Sequence, residues 1–304
     1  MKIRHQKRQI KESLSRRIFL VCNTTFLVVF AIVCMLPFVN LLAISVSDAY
    51  AVISGEVGFL PVGFNLTAYE LLLQDSEFWR SFAISVQRVL LGTLLGLVVN
   101  VLAAYPLSRS KKFFKGRKFY VILFVVTMFF SGGLVPTYML ITGLHIDDSI
   151  FALILPTAFN AWNVVLLISF FREVPHELIE AAEIDGASQY QILFNVVLPI
   201  SLPALATVVL FTAVAHWNNW FDGLIYTSTN LPLQTFIYNK IQSVAQSFKN
   251  IGNMSPEQIQ QMENLNERTL KSAQVFIAML PIMLVYPFVQ KYFIKGLTQG
   301  GVKE

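Results

Sequence analysis

Arg88 stands inside a long apolar run, where a charged side chain is costly unless it is paired or hydrated, so it is a candidate functional residue. It belongs to a stripe. Ser81, Ser85, Arg88, Gly92, Gly96 and Asn100 recur at steps of three or four, which puts them on one face of a helix. Gly92 and Gly96 form a GxxxG pair that lets a second helix come close. The competing reading of Arg88 is a side chain that snorkels to a membrane surface. Asn160 and Asn163 also interrupt an apolar run, and they either bond neighbouring helices or face a pathway. Trp217, Asn218, Asn219 and Trp220 precede Phe221 and Asp222. Aromatic faces can stack on sugar rings while amides bond hydroxyls. Aromatics at this depth equally suit an interfacial belt.

None of this is covalent chemistry. The chain has no GxxxxGK[ST] phosphate loop, so any ATP hydrolysis belongs to another polypeptide. No Asp or Glu falls inside the apolar runs except Asp222 at a boundary, which counts against a transporter driven by protons or sodium. His5, His145, His176 and His216 show no metal-ligand spacing, and no nucleophile–base pair suggests an intramembrane protease. The expected fold therefore holds no metal, no cofactor and no catalytic residue.

A second kind of site lies between two apolar runs. Glu177, Glu180, Glu183 and Asp185 crowd one short polar segment around Ala181 and Ala182, a thin surface that a concave partner could grip. Its punctuation predicts helix, turn, helix. Pro175 suits a first helical position, and Glu177 places negative charge at a helix start. Gly186 suits a left-handed helix end. Ser188 and Gln191 match a capping box, and Pro199 should mark the second helix's limit by disfavouring helical geometry at Leu198.

The elements that must hold these groups are membrane helices. Of 304 residues, 55% are hydrophobic and 13% charged, against roughly 25% charged in a soluble domain. Mean hydropathy is +0.59. Such a chain belongs in a bilayer. Six spans are expected at about 18–45, 82–105, 119–141, 150–171, 200–226 and 273–293. Pro37 should bend the first, and Ser131-Gly132-Gly133 with Pro136 should kink or unwind the third. Leu66 to Trp79 reads as a short surface helix. Cys22 and Cys34 share the first span and read as small buried hydrophobes.

Charge sets the orientation. Of 23 Lys and Arg, seven precede the first span, six lie between Arg109 and Lys118, and Arg172, Lys291, Lys295 and Lys303 join them on one side. That bias predicts both termini and the Glu180 segment in the cytoplasm. The basic run at 109–118 is then a membrane-side loop and not a nucleic-acid patch. The expected organisation is a basic cytoplasmic arm at 1–17, a six-span domain at 18–294 and a cytoplasmic tail at 295–304. A loop at 173–199 faces inward and a loop at 227–272 faces outward.

The central spacing also carries a resemblance. Glu180-Ala181-Ala182, three residues, Gly186, nine residues, then Val196, any residue, Leu198 and Pro199 resembles the signature loop of permease subunits of binding-protein-dependent ABC importers. Val196 stands where isoleucine is more usual. Val174-Pro175 and Asp185-Gly186-Ala187 resemble the carbohydrate-uptake branch, which includes the maltose importer's smaller permease. Residues 132–138 and 105–109 look most like permeases for complex oligosaccharides. The resemblance implies an all-α permease in a bacterial cytoplasmic membrane whose loop docks in a cleft of a cytosolic ATPase. Glu180 matches the glutamate that reaches basic residues there; Ala181, Ala182, Asp185, Gly186, Leu198 and Pro199 complete the coupling set. It implies two ATPase copies carrying ATP and Mg, a second homologous permease, an external solute-binding protein and a sugar substrate. The alternatives are an ion-gradient-driven transporter and a permease for a non-sugar solute.

Overall fold

The computed structural model describes residues 13–110, 113–249 and 266–300, and side chains are not described for 244–249 and 285–300. The basic residues at 1–12, Lys111 and Lys112, much of the expected outer loop (250–265) and the last four residues of the expected tail lie outside them.

The described residues are helical, with one isolated antiparallel bridge between Ser47 and Phe64. In chain order the helices are α1 (Leu14–Ser45), α2 (Ala49–Ile53), α3 (Thr67–Gln74), α4 (Ser76–Ser108), α5 (Arg117–Phe129), α6 (Leu134–Gly143), α7 (Ile150–Ile154), α8 (Ala161–Phe171), α9 (His176–Ile184), α10 (Gln189–Ile192), α11 (Leu198–Ile200), α12 (Leu202–Asn218), α13 (Phe221–Tyr226), α14 (Leu233–Lys249) and α15 (Glu267–Gly300). A 3₁₀ turn (Leu155–Thr157) follows α7, and a π turn (Leu193–Val197) joins α10 to α11. α1 and α4 are each long and apolar enough to cross a membrane. Among the described residues the count rises to five if each of three bent helix pairs is one span.

The chain divides into two compact units, Met1–Tyr69 with Asn253–Phe276, and Glu70–Gly252 with Ile277–Glu304. In the first, α1 is capped by Ser13, whose hydroxyl accepts from Arg16 N at 3.3 Å. Its 32 residues reach about 48 Å at 1.5 Å per residue, more than a bilayer core needs. Only Ala43, Ile44 and Ser45 are buried along it. Cys22 and Cys34 are exposed, against the expectation of burial. Their apolar surroundings on α1 have little cover from the described residues, which is how a lipid-facing helix looks.

In the second unit α4 is the central helix. Asp75 caps it by accepting from Glu77 N at 3.0 Å, which ends α3 at Gln74 and splits the helix expected over 66–79. The stripe behaves as its spacing predicts. Ser81, Ser85, Arg88, Gly92, Gly96 and Asn100 are all buried, while Leu90, Leu94, Val98 and Leu102 on other faces are exposed. The stripe packs on α12. A Cβ at Gly92 would lie 2.4 Å from His216 Nε2, and one at Gly96 would lie 3.4 Å from Thr212 Cγ2. A side chain at Gly92 would make the His216 ring shift, whereas one at Gly96 would meet Thr212 at ordinary contact distance.

Two of the expected spans are broken, and a third bend lies where the hairpin enters the fifth. α5 and α6 meet at 110° across Phe130–Gly133, where Gly133 takes φ +85°. The Ser131-Gly132-Gly133 run thus gives a sharp reversal. α7 and α8 meet at 51°, and the α10–α11 segment meets α12 at 84°.

Candidate functional site

Residues 172–201 build a bent hairpin from backbone chemistry upward. Pro175 is the residue before α9 (φ −54°, ψ 129°), one position earlier than expected, and Glu177 does fall in the first turn. α9 ends in a Schellman turn. Gly186 N donates to Glu183 O at 3.1 Å and Ala187 N donates to Ala182 O at 2.9 Å, with Gly186 at φ +76°. Ser188 and Gln191 then form the capping box, with bonds of 3.3 and 2.7 Å. Pro199 departs from expectation. Leu198 is helical (φ −63°, ψ −44°), and the π turn at 193–197 lies just before the proline, so the chain stays helical to Ile200. A widened turn offers room for a ring that would clash with a regular i−4 carbonyl. The break falls at Ser201 instead.

One face of the hairpin is buried. Ile179, Ile192, Leu193 and Val197 pack in a cluster with Ala104, Tyr105 and Leu107 of α4, Val164, Leu167 and Phe171 of α8, and Ala204 and Val208 of α12. Ala182 and Ala187 pack against the same cluster. Polar bonds reinforce it. Tyr105 Oη donates to Gln189 Oε1 at 2.8 Å, Gln189 Nε2 donates to Glu183 Oε1 at 3.4 Å, and Arg109 Nη2 donates to the same Glu183 oxygen.

The other face is open. The Glu180 side chain is 64% exposed and meets His176 Nδ1 at 3.4 Å. Ala181, Asp185 and Gly186 are exposed beside it, as are Leu178, Ile184, Tyr190 and Phe194. Of the two alanines, therefore, only Ala181 is on the open side. Leu198 is half-buried and Pro199 exposed.

A polar cavity of about 330 Å³ lies in the same unit, lined by Thr157, Asn160, Trp162, Asn163, Phe211, Thr212, Ala215, His216 and Asn219. Three of the expected pathway residues meet there. Asn160 caps α8 by accepting from Asn163 N at 3.1 Å, and Asn163 Nδ2 donates to Thr212 Oγ1 at 3.2 Å. Asn163 therefore bonds a neighbouring helix while the Asn160 side chain caps its own, and both line the cavity. Asn219 accepts from Asp222 N at 3.1 Å and donates to Asp222 Oδ2 at 2.7 Å. Asn100 lies behind the wall, 1% exposed, holding the broken backbone between α7 and α8. It donates to Gly96 O and Ala158 O at 2.6 and 3.2 Å and accepts from Asn160 N at 2.9 Å.

Arg88 does not snorkel. It is fully buried, donates to Asn219 O at 3.0 Å and pairs with Asp222 Oδ2 at 2.7 Å. Asp222, a boundary residue in the sequence, is its partner. One arginine and one carboxylate left in the apolar runs was the signal that they pair. Trp217 is 7% exposed, donates Nε1 to Ala278 O at 3.0 Å and packs with Phe78, Leu233, Phe236 and Ile237. It is a core residue, in neither a belt nor the cavity wall. Trp220 stacks on Tyr238 at 4.4 Å, and Asn218 is exposed. His216 was missed. It is 5% exposed, borders the cavity, and its Nε2 is buried against Gly92 with no hydrogen-bond partner among the described residues.

Residues 88–299 match the family described as binding-protein-dependent transport system inner membrane component. The chain belongs to this family. This inner membrane component is 37% identical over 295 residues to the polygalacturonan/rhamnogalacturonan transport system permease protein YtcP of Bacillus subtilis (strain 168), spanning 95% of this chain and 100% of that protein. It is 36% identical over 291 residues to protein LplC of the same organism, spanning 94% and 95%. It superposes with a TM-score of 0.81 and 31% identity on a chain from the crystal structure of a bacterial ABC transporter involved in the import of the acidic polysaccharide alginate, over 93% of this chain and 99% of that one.

Proposed function

We propose that this chain is one permease subunit of an ATP-driven importer that takes up an oligosaccharide delivered by an external solute-binding protein. Its domain of six spans covers 18–294 in a bacterial cell membrane, with both termini and the hairpin at 173–199 in the cytoplasm. The third and fourth spans are read as the α5–α6 and α7–α8 pairs, the fifth as α12 with α13, and the sixth as part of α15. A second, homologous permease completes the pathway. Two copies of a cytosolic ATPase carry ATP and Mg and do all the hydrolysis, and their clefts receive the Glu180 face of the hairpin.

The observation that carries this reading is the hairpin's division of labour. Its inner face is fixed by the Ile179–Ile192 cluster and by Glu183, while Glu180, Ala181 and Ile184 stand open. It is continuous in sequence with α8 and α12, both of which line the cavity. A push on the open face therefore reaches the cavity walls as rigid-body motion. For the solute, amides and hydroxyls from Asn160, Asn163, Asn219, Thr157 and Thr212 beside Trp162 and Phe211 suit a hydroxyl-rich ring. The names of YtcP and of the alginate transporter both concern uronate-rich polysaccharides, which makes acidic oligosaccharides the first to try.

The test is a tagged chain purified with its associated subunits. The expected result is co-purification of an ATPase, a second permease and a binding protein, with ATP hydrolysis stimulated by oligogalacturonate-loaded binding protein. Glu180→Lys should insert normally and abolish uptake. Uptake that survives loss of the ATPase and collapses with an ionophore would instead favour the gradient-driven transporter. Stimulation by amino acids or peptides would move the solute class.

A further inference from the structure

Arg109 was read from the sequence as one of six charges that hold a loop on the cytoplasmic side. The structure gives it a second use. It is the residue that follows α4, and it is only 9% exposed. Its guanidinium lies 5.2 Å from the Phe113 ring centroid and 5.9 Å from that of Tyr105, so two aromatic faces hold it. Its Nη2 donates to Glu183 Oε1, and the same oxygen takes the Gln189 amide at 3.4 Å. Gln189 Oε1 in turn accepts from Tyr105 Oη at 2.8 Å. The circuit therefore joins the end of α4 to both limbs of the hairpin, Glu183 on α9 and Gln189 on α10.

The position of this circuit matters because α4 has no short covalent link to the hairpin. α8 and α12 enter and leave it within a few residues. α4 carries Arg88, Asn100 and the Gly92–Gly96 seat for His216 and Thr212. Apolar packing of Ala104, Tyr105 and Leu107 already holds the end of α4 on the hairpin but fixes no direction, and the Arg109 tie adds a directional link that resists sliding. We propose that Arg109, Glu183, Gln189 and Tyr105 are positioning residues that fasten α4 to the hairpin, so that three helices move together when the hairpin is displaced. Glu180 and Glu183, one turn apart, then have opposite jobs. Glu180 is the outward contact, and Glu183, its side chain 37% exposed, turns one oxygen to Arg109 and serves as the fastener. The inference rests on the proposed docking of an ATPase on this hairpin.

The test uses the whole complex in nanodiscs, with Cys22 and Cys34 replaced by alanine and spin labels placed at exposed Leu102 on α4 and exposed Phe194 on the hairpin. In the parent, the label-to-label distance should be the same without nucleotide and with ADP-vanadate. In Glu183→Gln, the distance should shift between those states by on the order of 2 Å or more and broaden. The Arg109→Glu/Glu183→Arg exchange should restore the fixed distance, which a general loss of packing would not do. Tyr105→Phe keeps the ring and removes only the hydroxyl. It should broaden the distribution less, and with the exchange variant it decides the matter if Glu183→Gln fails to insert. A distance that shifts in the parent, or that stays fixed in every variant, overturns the fastener. Absence of any co-purifying ATPase from the parent sinks the docking reading itself, and the fastener with it, which is a different result.

Discussion

At the scale of single residues, Arg88 and Asp222 set the sharpest expectation. A fully buried guanidinium on a 20% exposed carboxylate is costly to desolvate, and costlier to leave alone. Arg88→Ala should destabilise the chain by about 3–5 kcal/mol, because Asp222 would lose its counter-ion. Arg88→Met combined with Asp222→Leu should recover most of that, measured by thermal unfolding in detergent. If the double variant is as unstable as the single ones, the pair does more than satisfy itself. Asp148 makes a different case. It holds the start of the 227–272 loop, accepting from Ser228 N, Thr229 N and Asn230 N at 2.9, 2.9 and 3.2 Å, and from the Thr229 hydroxyl at 2.6 Å. The Thr229 hydroxyl above all, then the backbone amides, hold the Asp148 carboxyl well below the usual carboxylate range; burial opposes them. A depressed folded value means its contribution is present above the unfolded carboxylate pKa and is lost only as pH falls through the folded one. Hydrogen exchange at 228–230, corrected for intrinsic rates, should therefore keep constant protection between about pH 5 and 8. Asp148→Asn should lower that protection throughout. A midpoint near pH 6 would contradict the assignment.

At the scale of helices, the contact of α4 with α12 is specified by absence of side chains. Gly92→Ala would place a methyl group 2.4 Å from His216 Nε2. It should cost about 1–3 kcal/mol by forcing the helices apart, and His216→Ala in the same chain should relieve most of the cost. Thermal unfolding of the four proteins of that cycle is the check, and an additive result would mean the two sites do not meet. This contact also marks how far the sequence reaches. The period of the stripe announced a buried face on α4, and Gly186 with the Ser188–Gln191 pair announced the hairpin's turn. Both rest on bonds a few residues long. Local signals did not say what lies across from each face. Asp222 is 134 residues from Arg88, and nothing near either one names the other. Trp217 misled for the same reason, since its indole donates to Ala278, 61 residues on. Pro199 misled differently. Its local preference is real, but a π turn just upstream accommodates it and moves the break to Ser201.

At the scale of the molecule, α1 is the informative element. A 32-residue helix with apolar side chains exposed along nearly its whole length is unstable in water and comfortable in lipid or against another membrane helix. Cys34, in its C-terminal half, reports on that directly. In intact membranes a membrane-impermeant maleimide should leave Cys34 unlabelled, and the same reagent should label it in dodecyl sulfate. Ready labelling before denaturation would place this stretch in water and remove the first span.

The corner between α9 and α10 is closed by peptide groups, through the Gly186 and Ala187 amides and the Glu183 and Ala182 carbonyls. Its shape is therefore nearly indifferent to the letters written on its outside. Leu178, Ala181, Ile184 and Asp185 are free to drift without the corner unfolding, as long as the glycine stays. Substitutions on the outside can therefore change what this surface would fit, while the architecture behind the corner stays as it was.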